Sequence, residues 1–60
     1  MHYRAETVFV KQGRVIGRLW KNLEAVDKTA ANSEMQRRLD EENGQEDQIT
    51  ELLVAVEALN

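Results

Sequence analysis

Val10–Gly17 reads VKQGRVIG, and its conformation decides what the front of this 60-residue chain becomes. As one turn of an amphipathic helix it would belong to a rod. As the tip of a β-hairpin it would fold the chain back on itself. Val15, Ile16, Leu19, Trp20, Leu23 and Val26 recur at helical spacing. Thr7, Val8, Phe9 and Val10, however, are β-branched or aromatic and suit a strand. Gly13 and Gly17 would each cost a helix about 1 kcal/mol relative to alanine. In a hairpin, Gly13 supplies a left-handed turn residue at little cost.

Register separates two hairpins. A three-residue loop, Lys11-Gln12-Gly13, sets Phe9 against Val15, Val8 against Ile16 and Glu6 against Arg18. Apolar residues then meet apolar ones, and opposite charges meet. A two-residue loop sets Lys11 against Arg14, a like-charge pair. The sequence therefore predicts the longer loop, with strands over about 3–10 and 14–20. Gly17 inside the second strand marks a bulge or a close backbone approach. Tyr3, Phe9, Val15 and Leu19 fall on one face, and Val8, Val10, Ile16 and Trp20 on the other.

Behind the hairpin the pattern reads as helical. Asn22 can cap a helix over about 22–42. Its two apolar sets, Leu23, Val26, Ala30 and then Ala31, Met35, Leu39, lie on different sides, so a break near 31–32 is the simpler account, and one continuous helix whose stripes meet different partners is the alternative. Ser33 followed by Gln36 resembles a capping box at the fresh start. Asn43-Gly44 is a stop signal. Asp47 then reads as the cap of a last helix over 47–59, with Ile49, Leu52, Leu53, Val56 and Leu59 on one arc. The fold expected is thus α+β: an N-terminal β-hairpin followed by two or three α-helices in one small domain over 1–60.

Size limits what this fold can do alone. A chain of 60 residues buries only about 60% of its unfolded surface. Small domains lean on disulfides, metals or oligomers, and there is no cysteine and one histidine, His2. Both faces of the hairpin carry apolar residues, and one helix layer covers one face only. A homodimer is therefore expected, with Phe9, Ile16, Trp20, Leu52, Leu53 and Val56 as core or subunit contact. Trp20 is the best anchor, since aromatic residues dominate interface energetics.

Several function classes receive no support. Ser33 reads as a cap, and no nucleophile sits in an evident pair with a base. Gly13 and Gly17 do not make a phosphate loop. The crowded acids near residue 44 lack the alternation of a calcium loop. No enzyme activity, cofactor or metal site is expected. The longest apolar run, Leu52–Val56, is too short to span a bilayer. No basic start followed by an apolar stretch signals secretion, so a cytoplasmic location is expected, without membrane contact.

Charge is distributed unevenly. Residues 1–21 carry Arg4, Lys11, Arg14, Arg18 and Lys21 against one acid, Glu6, a balance of +4. Residues 22–60 carry three basic residues and ten acids, a balance of −7. The blandest account is a basic ribbon lying against acidic helices, within a chain or across a dimer, in a non-catalytic protein-binding or regulatory module. A second account uses the five basic side chains against nucleic acid, although the net charge of −3 opposes it. A third offers Asp40, Glu41, Glu42, Glu46, Asp47 and Glu51 to a basic protein surface, as an acidic inhibitor or nucleic-acid mimic would.

Overall fold

In a computed structural model, described for residues 1–44 and 48–59, the chain forms β1 (His2–Lys11), β2 (Arg14–Glu24), α1 (Lys28–Asn43) and β3 (Ile49–Ala58). The three strands make one antiparallel sheet in the order β2-β1-β3. The α+β class and the leading hairpin are as expected. Where the sequence predicts a helix over 47–59, the strand Ile49–Ala58 forms instead, and among the described residues a single helix replaces the two or three expected.

The hairpin is longer and tighter than the sequence suggested. β1 and β2 are joined by Gln12 and Gly13 alone, with φ of 52° and 77°. Positive φ at both central residues matches the twist of the flanking strands, which is why such turns dominate hairpins. Lys11 therefore does face Arg14. Both side chains are exposed at the tip, where solvent screens their repulsion to a few tenths of a kcal/mol. The turn geometry outweighs that. The apolar register is recovered by a bulge: Val10 faces Val15, Phe9 faces Gly17, and Ile16 is the extra residue. The expected pairs Phe9–Val15 and Val8–Ile16 do not form. Val15 consequently leaves the face of Phe9 and joins that of Val8, Val10 and Trp20.

Asn22 is not a helix cap, because β2 runs on to Glu24 and pairs Asn22 with Arg4 and Leu23 with Tyr3. The cap is Asp27, whose extended backbone (φ −156°) lets its carboxylate accept from the Ala30 N–H at 2.8 Å. From there α1 is unbroken through 31–32 to Asn43, and Ser33 sits in its second turn. Its inward face is Ala31, Met35 and Leu39, spaced i, i+4, i+8. The first apolar set is split: Leu23 is on β2, Val26 is exposed in the connection, and Ala30 lies in the first turn of α1. The stop at Asn43-Gly44 is where the sequence placed it. The expected cap Asp47 lies outside the described residues.

The helix covers one side of the sheet. Alternation on β1 sends Tyr3, Ala5 and Thr7 beneath α1 and Arg4, Glu6 and Val8 to the other side. Tyr3, Ala5, Leu23 and Val56 from the sheet meet Ala31, Met35 and Leu39 from the helix to form the core. β3 carries its own bulge, since Glu6 faces Ala55 while Thr7 faces Leu53, leaving Val54 extra. Its helix-facing residues are therefore Ile49, Glu51 and Leu53, then Val56.

Met35 is fully buried between the layers. Met35→Ala should lower unfolding free energy by about 2–5 kcal/mol, whereas Val54→Ala, at an exposed bulge, should change it by less than about 0.5 kcal/mol. Denaturant midpoints of the two variants check this.

Candidate functional site

Two features stand out once the layers are in place: a buried polar cluster under α1, and a sheet surface that α1 leaves uncovered. The cluster comes first because it explains where several predicted acids and bases go. Glu51 lies inward on β3, opposite Phe9 of β1, and is only 6% exposed. Its carboxylate accepts from the Thr7 hydroxyl at 2.5 Å, and Lys21 Nζ stands 3.0 Å from its Oε2. Lys21 also donates to Glu42 at 3.3 Å, tying β2 to the helix end. The Asn43 side chain donates to the Glu51 carbonyl at 2.8 Å and accepts from the Glu51 N–H at 2.9 Å. Its amide thus imitates a neighbouring strand on the outer edge of β3. No buried side-chain polar atom among the described residues is left without a partner.

Burial opposes charge on Glu51, but the Thr7 hydroxyl and the Lys21 ammonium outweigh it and hold the carboxyl below its usual 4.5. Burial likewise opposes charge on Lys21, and hydrogen bonds to Glu51 and Glu42 hold its ammonium above the usual 10.5. These groups hold one another and join all three strands to the end of α1. A recess of about 140 Å³ opens beside them, lined by Phe9, Glu42, Asn43, Ile49 and Glu51. Another, of about 370 Å³, is a shallow surface feature at the start of α1, lined by Lys28, Thr29, Asn32 and Ser33.

The uncovered surface is the second feature. On the face opposite α1, Val10 faces Val15 and Val8 faces Leu52. Trp20 is 46% exposed there and Leu52 49%. Arg4 crosses this face between two strands, its guanidinium 4.5 Å from the Trp20 ring centre on β2 and 2.9 Å from the Glu57 carboxylate on β3. Arg18 reaches Glu6 at 3.4 Å. Apolar side chains thus cluster toward the hairpin tip and charge pairs toward the far end. Ile16 and Val54, the two bulge residues, are exposed as well. On the helix side Leu19 remains 43% exposed, because α1 lies over β3 and β1 and not over this part of β2.

The six residues expected at a subunit contact therefore divide. Ile16, Trp20 and Leu52 are exposed, whereas Val56 is buried under α1 and Phe9 and Leu53 are half-buried on that same side. The basic set divides too: Arg4, Arg18 and Lys21 face carboxylates of their own chain, and Lys11 and Arg14 flank the tip turn. The acidic set forms no continuous face among the described residues. Glu51 is buried, Glu42 pairs with Lys21, Glu41 with Arg37, and Asp40 accepts from Gln36. Glu46 and Asp47 lie outside the described residues. Leu19 and Val15 were not singled out as contacts by sequence reasoning, although both are exposed on β2. Among the described residues no helix is long and apolar enough to cross a membrane.

Comparison of the chain with protein-family models, with curated proteins and with solved structures finds no match in any of the three.

The pH dependence of stability follows from the cluster. Glu51 contributes stability that is whole above its unfolded value of about 4.5 and drains away as pH falls through its depressed folded value. Lys21 contributes stability that is whole below about 10.5 and is lost as pH rises past its raised folded value. Thr7→Val removes a hydroxyl that holds the carboxylate charged, so the acid limb of the unfolding curve should move to higher pH. Circular dichroism during acid titration reads the shift, and an unmoved limb would contradict the role given to Thr7.

Proposed function

We propose that this chain is a non-catalytic protein-binding module that self-associates as a homodimer. The observation that carries the reading is the set of exposed apolar side chains on β2 and the face opposite α1: Val15, Ile16, Leu19, Trp20, Leu52 and Val54. An antiparallel sheet with one solvated face ordinarily turns polar residues outward, giving clean alternation. Here the outward positions hold valine, leucine and tryptophan beside arginine and glutamate. Clustered apolar side chains with a polar rim are the ordinary composition of an interface between proteins. Trp20, wide, half-exposed and held by Arg4, is suited to anchor such a contact.

Charge favours a copy of the same chain over a strongly charged partner. The basic side chains Arg4, Arg18 and Lys21 already meet Glu57, Glu6, Glu42 and Glu51, which leaves a mixed surface. A nucleic acid on the ribbon would have to compete with those carboxylates or rely on Lys11 and Arg14. A basic protein would find the described acids largely paired.

Light scattering from micromolar to millimolar concentration tests the reading. The mass should rise from one chain toward two, and Trp20→Ser should push that rise to concentrations at least about tenfold higher, as loss of an anchoring aromatic does. A single-chain mass throughout the range would overturn the proposal.

A further inference from the structure

The two edges of the sheet are not equivalent. The outer edge of β3 is plugged at Glu51, where the Asn43 amide takes both the backbone N–H and the carbonyl. Among the described residues β2 has β1 as its one neighbouring strand and is the other edge of the sheet. Eleven residues long, it is the longest strand in the chain. Natural edge strands are kept from pairing by shortness, proline, inward charge or a cover. β2 has one bulge, at Ile16, and one inward charge, Lys21, which Glu42 and Glu51 pair; beyond the bulge its register is unbroken from Gly17 to Glu24.

The backbone groups on that edge can be identified. In an antiparallel ladder, alternate residues turn their N–H and C=O toward the partner strand. Asn43 occupies the N–H and carbonyl of Glu51, so Phe9, opposite it, turns its own toward β2 and its facing residue Gly17. The bond from Ala25 N to Met1 O, at 2.9 Å, continues the same odd-numbered series at the far end. Arg18 and Trp20 therefore present their N–H and C=O outward. Facing strands in a two-fold pair must place like faces together, so β2 can meet its own copy only about a residue centre. Centred on Arg18 or on Lys21, the pair would set identical charges against each other. Centred on Trp20, it would set Leu19 against Lys21 of the copy. Centred on Leu19, it sets Leu19 against Leu19 and Arg18 against Trp20, a cation beside an aromatic face.

We propose that two copies of this chain join edge to edge through β2, centred on Leu19, to make a continuous six-stranded antiparallel sheet. This rests on the self-association reading and names its partner surface. Arg18 and Trp20 exchange backbone hydrogen bonds across the two-fold axis. Leu19, left uncovered by α1, gains a neighbour on the helix side. The two-fold pairing uses the β2 edge of each chain once, so it closes at two chains, and the Asn43 amide at Glu51 and the bulge at Val54 interrupt the outer β3 edges.

Two variants test the backbone pairing. Proline at position 18 removes an outward N–H and no backbone bond to β1, so Arg18→Pro should weaken dimerisation by about a hundredfold, through two lost hydrogen bonds per dimer, beyond any effect of losing the Arg18–Glu6 ion pair. Arg18→Ala, which keeps the N–H, should weaken it by less than about tenfold. A cross-link provides a readout that does not depend on proline being tolerated. The chain has no cysteine. A residue facing its own copy in a non-hydrogen-bonded pair has Cα atoms about 4.5 Å apart, within reach of a disulfide. Leu19→Cys should therefore oxidise readily to a covalent dimer, and Leu52→Cys, on the open face, should not. Cross-linking through position 52 and not 19, or an Arg18→Pro protein that still dimerises as wild type does, would overturn edge pairing and leave self-association standing. A wild-type protein that stays a single chain at every concentration would overturn both.

Discussion

Coverage is the constraint on which this structure depends. A helix is about 10 Å across and the 16 residues of α1 make it about 24 Å long. It can shield one side of a three-stranded sheet, and here it is seated over β3 and β1 rather than squarely over all three. The core that results is small: seven buried apolar residues among those described, of which two are alanine. A fully buried leucine or methionine contributes about 1.5–3 kcal/mol relative to leaving it exposed, so Met35, Leu39 and Leu23 carry a large share of the stability. What the helix cannot reach, the apolar positions of β2 and the far face, stays in water. The same geometry that builds the core thus creates the exposed surface.

The polar cluster compensates for the thin core by binding three elements at one point. Thr7 from β1, Lys21 from β2 and Glu51 from β3 lie on one diagonal across the sheet, with Glu42 and Asn43 arriving from the end of α1. Charges taken from water are costly unless paired and hydrogen-bonded, and here each has more than one partner. The arrangement fixes register as well as charge. A slip of one residue in β3 would turn Glu51 outward and bring an apolar neighbour beneath Lys21. Asn43 adds a second lock, because only a residue with its groups turned outward at position 51 can satisfy both ends of its amide.

Much of the front half was legible in the sequence, and the reasons the back half was not are specific. β-Branched residues before a glycine announced the hairpin, and Asn43-Gly44 announced the end of α1. The tip register was misread because a like-charge pair looked prohibitive, when at an exposed turn it costs little against the twist preference of a two-residue loop. The strand β3 was misread for a deeper reason. Its bulge at Val54 shifts the inward positions by one, so the helix-facing apolar residues fall at 49, 53 and 56. Those spacings of four and three are the signature of an amphipathic helix. Glu, Leu and Ala, all good helix formers, reinforce the impression, and pairing with β1 overrides it. Ile49, Thr50, Val54 and Val56 were the contrary signal. The contact residues divided on the same point: as a helix, 52, 53 and 56 share a face, whereas as a bulged strand Leu52 points away from Leu53 and Val56.

The bulges also bear on how such a sheet survives with so much apolar surface. Each lies in an edge strand, at Ile16 in β2 and at Val54 in β3, and each increases local twist. Twist and irregular spacing discourage indefinite stacking of strands. On β3 the bulge and the Asn43 plug act together against pairing. On β2 the bulge sits near the hairpin tip and leaves the stretch beyond Gly17 regular. Water can satisfy the backbone groups of that regular stretch, and the edge pairing proposed above would exchange this water for a second copy. Leu19, Trp20 and Arg18 lie on that stretch, so the proposed pairing would cover side chains of β2, whereas Leu52 and Val54 on β3 lie outside it.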